Sequence, residues 1–77
     1  MTTIEYDLPE EARVTLIIYD LIGREVMRLV NSKKPAGFYR VVWDGKNSRG
    51  QLVSSGVYLY RIHAGKFSRT NKMIFMQ

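Results

Sequence analysis

The run from Asp44 to Gly50 (DGKNSRG) is the one segment whose residue types and spacing resemble a ligand site. It brings Asp, Asn, Ser and Gly together in a short span, as calcium-binding loops do. Calcium would need an oxygen ligand where Lys46 stands, and no glutamate follows to close the coordination sphere. We therefore predict no metal site and interpret Asp44 and Asn47 as turn residues that bond the local backbone. The unusual dihedral angles of these turns are assigned to Gly45, Gly50 and Gly56.

The residues that could support catalysis are few. The chain contains one histidine and no cysteine, whereas nucleophilic and acid–base catalysis need several such groups together in a cleft. His63 alternates with Arg61 on a strand face that we expect to point outward, so we interpret it as a solvated strand residue. The seven acidic residues show no pairing that suggests a glycosidase. We expect a non-catalytic protein that needs no cofactor.

The charged residues are distributed unevenly along the chain. Residues 1–44 hold seven acids against six bases, whereas residues 45–77 hold six bases and no acid, giving net charges of −1 and +6. Such asymmetry can mark a polyanion-binding face. It can also come from strands of the two halves pairing across a sheet, with opposite charges facing each other. The bases are spread over loop, strand and hairpin, which favours the second interpretation, and we expect no nucleic-acid partner.

Aromatic residues raise one further alternative, which is stacking on a carbohydrate. The candidates for an exposed platform are Tyr19, Phe38 and Phe67. In a domain of only 77 residues, aromatic residues more often belong to the core, and the sequence favours that interpretation.

The length of the chain predicts one folded unit, so we expect residues 1–77 to form a single domain. Without cysteines, the core must be stable without disulfides. No apolar run approaches the ~18–20 residues that cross a bilayer, and the N-terminus lacks the regions of a signal peptide. We expect no integral membrane segment in this chain.

Alternating apolar residues predict six or seven short strands and no helix. The predicted strands are Thr3–Leu8, Arg13–Tyr19, Arg24–Val30, Phe38–Trp43, Gly56–Ala64 and Phe67–Met76, with Leu52-Val53 as the candidate seventh. Asn31–Gly37 is predicted to be a polar loop, and Asp20 to Gly23 a hairpin turn. Turn residues recur at a spacing of about 8–12 residues, which is typical of sandwiches. The fold class predicted is all-β, a small immunoglobulin-like β-sandwich of antiparallel strands.

Three aromatic residues are predicted to organise this sandwich. Trp43 should be the centre of the core, because burying a large aromatic side chain contributes more than any of its neighbours. Tyr58 and Tyr60 are two residues apart, as are the corner tyrosine and the second cysteine of immunoglobulin domains. We expect Tyr58 to hydrogen-bond back across the sandwich and Tyr60 to take the place of the cysteine. The second strand is predicted to be central and covered on both sides, because Thr15, Ile17 and Tyr19 add an apolar second face.

Four segments closely resemble the type A C-terminal sorting domain of the type IX secretion system and the related immunoglobulin-like domain of the flagellar hook-capping protein. They are TTIEYDLPE (2–10), VTLIIYDLIGREV (14–26), AGFYRVVWDGKNSRGQLVSSGVYLYRIHAG (36–65) and TNKMIFM (70–76). The most specific parts are YDLIGREV, WDG followed by GQLVSSGVYLYR, and TNKM. The four segments follow the order of the family pattern, and together they cover nearly the whole chain.

The resemblance implies the C-terminal module of a longer bacterial protein that is exported through the periplasm and secreted or held at the cell surface. In the sorting reading, the outer-membrane translocation machinery is the protein partner and recognises the last strand. The candidate recognition residues are Thr70, Lys72, Met73, Ile74, Phe75, Met76 and Gln77. The alternative is a structural or adhesive module, in a hook-cap-like assembly or as an accessory domain of a surface enzyme.

The two ends of the chain depart from the sorting-domain pattern. That family usually ends in a basic residue, whereas this chain ends Phe75-Met76-Gln77, and its asparagine- and proline-rich lead-in is missing. We therefore expect Met1 to mark an engineered or truncated start. A first strand shortened in this way would leave an edge open for self-association.

Overall fold

Six antiparallel strands and no helix form the computed structural model, which describes all residues 1–77. The strands are β1 (Thr2–Leu8), β2 (Ala12–Tyr19), β3 (Glu25–Lys34), β4 (Gly37–Trp43), β5 (Gly56–Ala64) and β6 (Phe67–Phe75). The all-β prediction is confirmed, and so is each predicted strand. The candidate seventh strand is only an isolated bridge between Lys46 and Leu52. No helix could cross a membrane.

The strands form two sheets of unequal width. One sheet contains only β1 and β4, and the other has the order β3-β2-β5-β6. Thr2 pairs with Trp43 and Leu8 with Gly37, so the narrow sheet joins strands far apart in the sequence. In the wide sheet, β2 pairs with both β3 and β5, while β3 and β6 are edge strands.

The core lies between the two sheets and follows the period-two pattern of the strands. Val14, Leu16 and Ile18 of β2 are fully buried, as is Trp43 of β4. Ile4 and Leu8 of β1 cover them from the narrow sheet. Burying large apolar side chains contributes about 1.5–3 kcal/mol each, so these residues hold the two layers together.

Two local predictions are wrong. β3 continues to Lys34 through residues predicted to be a polar loop, because Ala12 to Thr15 of β2 supply partners for its backbone. An edge strand with an open face needs no apolar alternation, so the sequence pattern gave no signal there. The second face of β2 is also not covered: Ile17 and Tyr19 are half-buried on the outside of the wide sheet. The narrow sheet packs on one side only.

The predicted turn between β2 and β3 is built around the carboxylate of Asp20. Its Oδ1 atom accepts hydrogen bonds from the backbone N–H groups of Ile22 (3.1 Å) and Arg24 (2.9 Å). The Arg24 guanidinium donates to Oδ2 at 2.9 Å. The backbone bond from Arg24, together with the guanidinium, holds the pKa of Asp20 below its ordinary value. The Gly23 N–H closes the turn by donating to the Asp20 carbonyl at 3.1 Å.

Candidate interaction surface

The polar groups of the loop between β4 and β5 are used to fold the loop itself. Asp44 Oδ1 accepts from the Lys46 N–H at 3.1 Å. Asn47 Oδ1 accepts from the N–H groups of Arg49 (2.9 Å) and Gln51 (3.1 Å). The oxygens that resembled calcium ligands therefore act as turn acceptors. The structure also brings together no group of three His, Cys, Asp or Glu side chains that could hold a metal ion.

The same loop is fastened to the core at Trp43. The indole Nε1–H donates to the Lys46 carbonyl at 3.0 Å, so the buried polar atom of the ring is paired. The ring packs against Tyr58 and Phe75, with centroid distances of 5.3 and 5.0 Å. Gly45 has a φ of +80° and lies flat on Phe75, where a Cβ atom would overlap the phenyl ring. The loop thus holds the end of β6 in place.

The two tyrosines of β5 differ in role from the prediction. The Tyr58 hydroxyl donates to the Ser54 carbonyl at 2.6 Å, four residues upstream, rather than across the sandwich. It therefore fixes the entry into β5, as a corner tyrosine fixes its own lead-in. Tyr60 is only half-buried, and its hydroxyl accepts from Asn71 Nδ2 at 3.0 Å. It lies at the wall of the core because the narrow sheet does not extend over this position.

The strand alternation divides the candidate recognition residues of β6 between two faces. Phe75 is only 3% exposed and belongs to the core, and Met73 is half-buried beside it. A partner could not contact Phe75 without opening the sandwich. The residues on the outer face or beyond the strand are exposed: Thr70, Lys72, Ile74, Met76 and Gln77.

The C-terminal residue is tied to the loop that precedes β5. The Gln77 N–H donates to Ser55 Oγ at 2.9 Å, and its side-chain Nε2 donates to the Val53 carbonyl at 2.6 Å. β6 pairs only with β5, so its other edge has no strand partner. The exposed terminal strand is therefore presented in one defined position with an open edge.

A groove beside β1 is the feature that the sequence did not predict. It has a volume of about 770 Å³ and opens between the free edge of β1 and the β5–β6 hairpin. Its apolar lining includes Ile4, Tyr6, Leu8, Tyr60, Ile62 and Phe67. The groove exists because two strands cover a sheet of four, and no single-strand pattern carries that information.

Tyr6 lies in the wall of this groove and stacks on Tyr39, with a centroid distance of 5.2 Å. Its hydroxyl is buried and has no hydrogen-bond partner. Burial, followed by the neighbouring Tyr39 hydroxyl, raises the pKa of Tyr6 above its ordinary value. The wall of the groove therefore contains one polar atom, the Tyr6 hydroxyl oxygen, that has no hydrogen-bond partner within the chain.

The three aromatic residues considered for carbohydrate stacking lie on three different surfaces. Phe38, 66% exposed, is on the outside of the narrow sheet, and Tyr19 is on the outside of the wide sheet. Phe67, 48% exposed, faces the groove from β6. They form no common platform. His63 is exposed on the outer face of β5, away from any acidic partner.

The ion pairs contradict the favoured interpretation of the charge asymmetry. All four join residues within the first 44: Asp20–Arg24, Glu25–Arg28, Glu11–Lys33 and Glu5–Arg40. None of the six bases after Asp44 has an acidic partner in the chain. The halves do not neutralise each other because the acids of the first half are mostly paired by bases from that same half. The unpaired bases remain available to a partner.

Two antiparallel sheets packed around a buried tryptophan, with a tyrosine that fixes the entry into its own strand, define an immunoglobulin-like β-sandwich. The family model for the FlgD Ig-like domain matches residues 1–67, and the chain belongs to this family. A crystal structure of FlgD from P. aeruginosa is similar, with 26% sequence identity and a TM-score of 0.72. That match covers 94% of this chain and 55% of the FlgD chain, so this chain spans about half the FlgD length. Among curated proteins, none matches the chain significantly.

The family match confirms one half of the resemblance seen in the sequence, that to the hook-capping immunoglobulin-like domain. The half that concerns the type IX sorting domain is not confirmed and stays a prediction. The matched residues end at Phe67, the first residue of β6. Residues 68–77, which contain the candidate recognition residues, therefore lie outside the family match.

Proposed function

We propose that this chain is a non-catalytic protein-interaction module that works in a hook-cap-type assembly outside the cytoplasm. Membership of the FlgD Ig-like family over residues 1–67 carries this proposal. Two features support the absence of catalysis. The polar loop atoms are bonded to the loop backbone, and His63 stands alone on an exposed face.

The surface proposed for contact with other proteins is the outer face and free edge of β6. Lys72 and Ile74 are exposed there, and Ile74 is 68% accessible. An exposed apolar side chain beside an unpaired base and an unpaired strand edge offers packing, charge and backbone hydrogen bonds together. The loop beneath β6 is hydrogen-bonded to itself and to Trp43 and contacts Phe75, and a surface held in place in this way has a lower entropic cost of binding.

An exchange of domains tests the assembly function. Residues 1–77 replace the matched Ig-like domain of P. aeruginosa FlgD, and swimming is measured on soft agar. We expect the chimera to support swimming, and Lys72→Glu or Ile74→Asp to reduce it while leaving the domain folded. Arg49→Glu, an equal change of charge in an exposed loop, is the matched control. A folded, stable chimera that gives no more swimming than the deletion strain would contradict the proposal.

The second candidate function is the sorting signal, with the module carried to the cell surface through the periplasm. It is supported by the terminal strand, which is exposed, has an open edge and is held in place by Gln77. A translocation machinery that recognises a folded domain could read such a strand by backbone pairing.

A reporter fusion distinguishes this second function from the first. Residues 1–77 are fused behind a periplasmic reporter in a host that has type IX secretion, and surface exposure is measured by protease accessibility. The sorting function predicts that the reporter reaches the cell surface. Ile74→Asp should reduce the amount of reporter at the surface, whereas Arg49→Glu should not. An intact, folded fusion retained in the periplasm would eliminate sorting and leave the assembly function untouched.

A further inference from the structure

The groove beside β1 has the shape of a missing strand position. The narrow sheet ends at β1, while the wide sheet continues below it to β6. As a result, the inner face of β6 is uncovered near the hairpin, where Phe67 and Arg69 are exposed. A strand placed beside β1 would pair with its free edge and cover this face.

The orientation of such a strand follows from the core contacts. Thr2 pairs with Trp43, and Trp43 packs on Phe75, so β1 begins at the end of β6. At the other end, Leu8 lines the groove together with Phe67, so β1 finishes where β6 begins. β1 and β6 of one chain therefore run in opposite directions at corresponding levels, in different layers.

We propose that the occupant is β6 of a second copy of this chain, in a closed dimer with a two-fold axis parallel to the strands. Rotation about that axis exchanges the layers and keeps the strand directions. It places β6 of each copy beside β1 of the other, antiparallel. Each layer then becomes one six-stranded sheet, and each β6 fills the empty position beside β1 of its partner. The free edge of β6 is then used inside the dimer, and its outer face, with Ile74, is the part that stays open to other proteins.

The charges on the two edges are complementary. With Leu8 level with Phe67 of the second copy, Asp7 lies opposite Ser68, and Glu5 lies opposite Thr70. The bases Lys66 and Lys72 are then the diagonal neighbours of these acids, a distance at which cross-strand pairs still interact. Neither lysine has an acidic partner within its own chain.

The same pairing rule disfavours an alternative dimer through β1 alone. Two antiparallel β1 strands would bring Glu5 and Asp7 close to their own copies, which is unfavourable. The β6 strands, which extend beyond β1, would also collide before the two β1 edges could pair.

The groove itself contains charges of both signs. Arg69, the base on the inner face of β6, lines the groove together with Asp7 and Glu10, and neither of these acids is in an ion pair.

The surface that a stable dimer would bury is a modest share of this chain. A standard interface buries about 800 Å² per partner, which is roughly 15% of the 5316 Å² of this chain's surface. The groove alone is lined by 18 of the 77 residues. Dimerisation would also bury Phe67, which is 48% exposed in the single chain.

Cysteine cross-linking tests the pairing, because the chain contains no cysteine of its own. Asp7→Cys and Ser68→Cys variants are prepared separately, mixed and oxidised. We expect the mixed disulfide to form at least about tenfold faster than either symmetric one. The double variant should stop at a dimer with two disulfides. Asp7→Cys mixed with Ser32→Cys, on the opposite edge of the wide sheet, is the control and should show no preference.

Sedimentation measures the association itself. The wild-type chain should dimerise reversibly, and Lys66→Glu should weaken the dimer about tenfold, since each dimer contains the contact twice. Arg49→Glu should leave it unchanged, and Trp43 fluorescence checks that all variants are folded. A wild-type chain that remains monomeric at all concentrations would overturn the proposal. A ladder of higher oligomers from the double cysteine variant would overturn it as well.

Discussion

Replacing Gly45 with alanine perturbs the contact by which the loop holds the terminal strand. Gly45 has a φ of +80°, a conformation that costs an L-residue about 1–2 kcal/mol. The added Cβ would also overlap the ring of Phe75, which is 3% exposed and packed on Trp43. Overpacking of a core typically costs a further 1–3 kcal/mol, so we expect a total loss of about 2–5 kcal/mol.

Gly50→Ala is the matched control for this substitution. Gly50 has a φ of +78°, almost the same conformation, but a Cβ there would meet nothing within 4 Å. It should therefore lose only the backbone cost of about 1–2 kcal/mol. The difference between the two variants isolates the collision with Phe75. A domain of this size has a total stability of about 4–12 kcal/mol, so a loss of about 2–5 kcal/mol on Gly45→Ala would be a substantial share of it.

Urea denaturation followed by Trp43 fluorescence measures both variants, since Trp43 is the only tryptophan and is fully buried. The double variant Gly45→Ala/Phe75→Leu provides a second check. Because leucine leaves room for the new methyl group, the leucine should cost less in the alanine background than in the wild type. Equal losses for Gly45→Ala and Gly50→Ala, within about 0.5 kcal/mol, would refute the packing of the loop on β6.

Three further predictions concern polar groups. Tyr58→Phe leaves the Ser54 carbonyl without its donor and should cost about 1–3 kcal/mol in urea denaturation. Tyr6→Phe removes a buried hydroxyl that has no partner, and should be neutral or stabilising by about 1 kcal/mol in dilute monomer; a clear loss would mean that the hydroxyl is satisfied. The pKa of Asp20 is lowered in the folded state, so its carboxylate stabilises the fold above its ordinary pKa of about 3.9, and this contribution is lost as the pH falls through the lowered value. In Asp20→Asn, the free energy of unfolding should therefore fall less steeply than in the wild type as the pH drops below about 4. The same pH dependence in both proteins, measured by urea denaturation, would contradict the role of the Arg24 contacts.

The strands and the core residues could be predicted because each depends on local alternation. Val14, Leu16 and Ile18 alternate with polar or half-exposed neighbours, and all three are fully buried. Trp43 follows the same rule on β4. The extension of β3 to Lys34 could not be predicted in this way, because hydrogen bonds from β2 and not burial determine it.

The interaction surface was predictable only in part. The sequence indicated the last strand, and alternation alone separates exposed Lys72 and Ile74 from buried Phe75. The groove depends on how many strands each sheet contains, which follows from the long-range pairing of β1 with β4, from Thr2–Trp43 to Leu8–Gly37. Of the four ion pairs, only Glu5–Arg40 depends on this long-range pairing, whereas Asp20–Arg24 and Glu25–Arg28 are local. The net charge of each half could not show that the acids are paired within the first half.

Counting completed hooks by electron microscopy on cells that carry the FlgD chimera tests the proposed assembly function most directly. The chimera with residues 1–77 should give hooks at a frequency close to that of the parent. Gly45→Ala should lower that frequency in proportion to the loss of folded domain. Cells that contain the folded chimera at the parental level but form no hooks would contradict a role in hook-cap-type assembly.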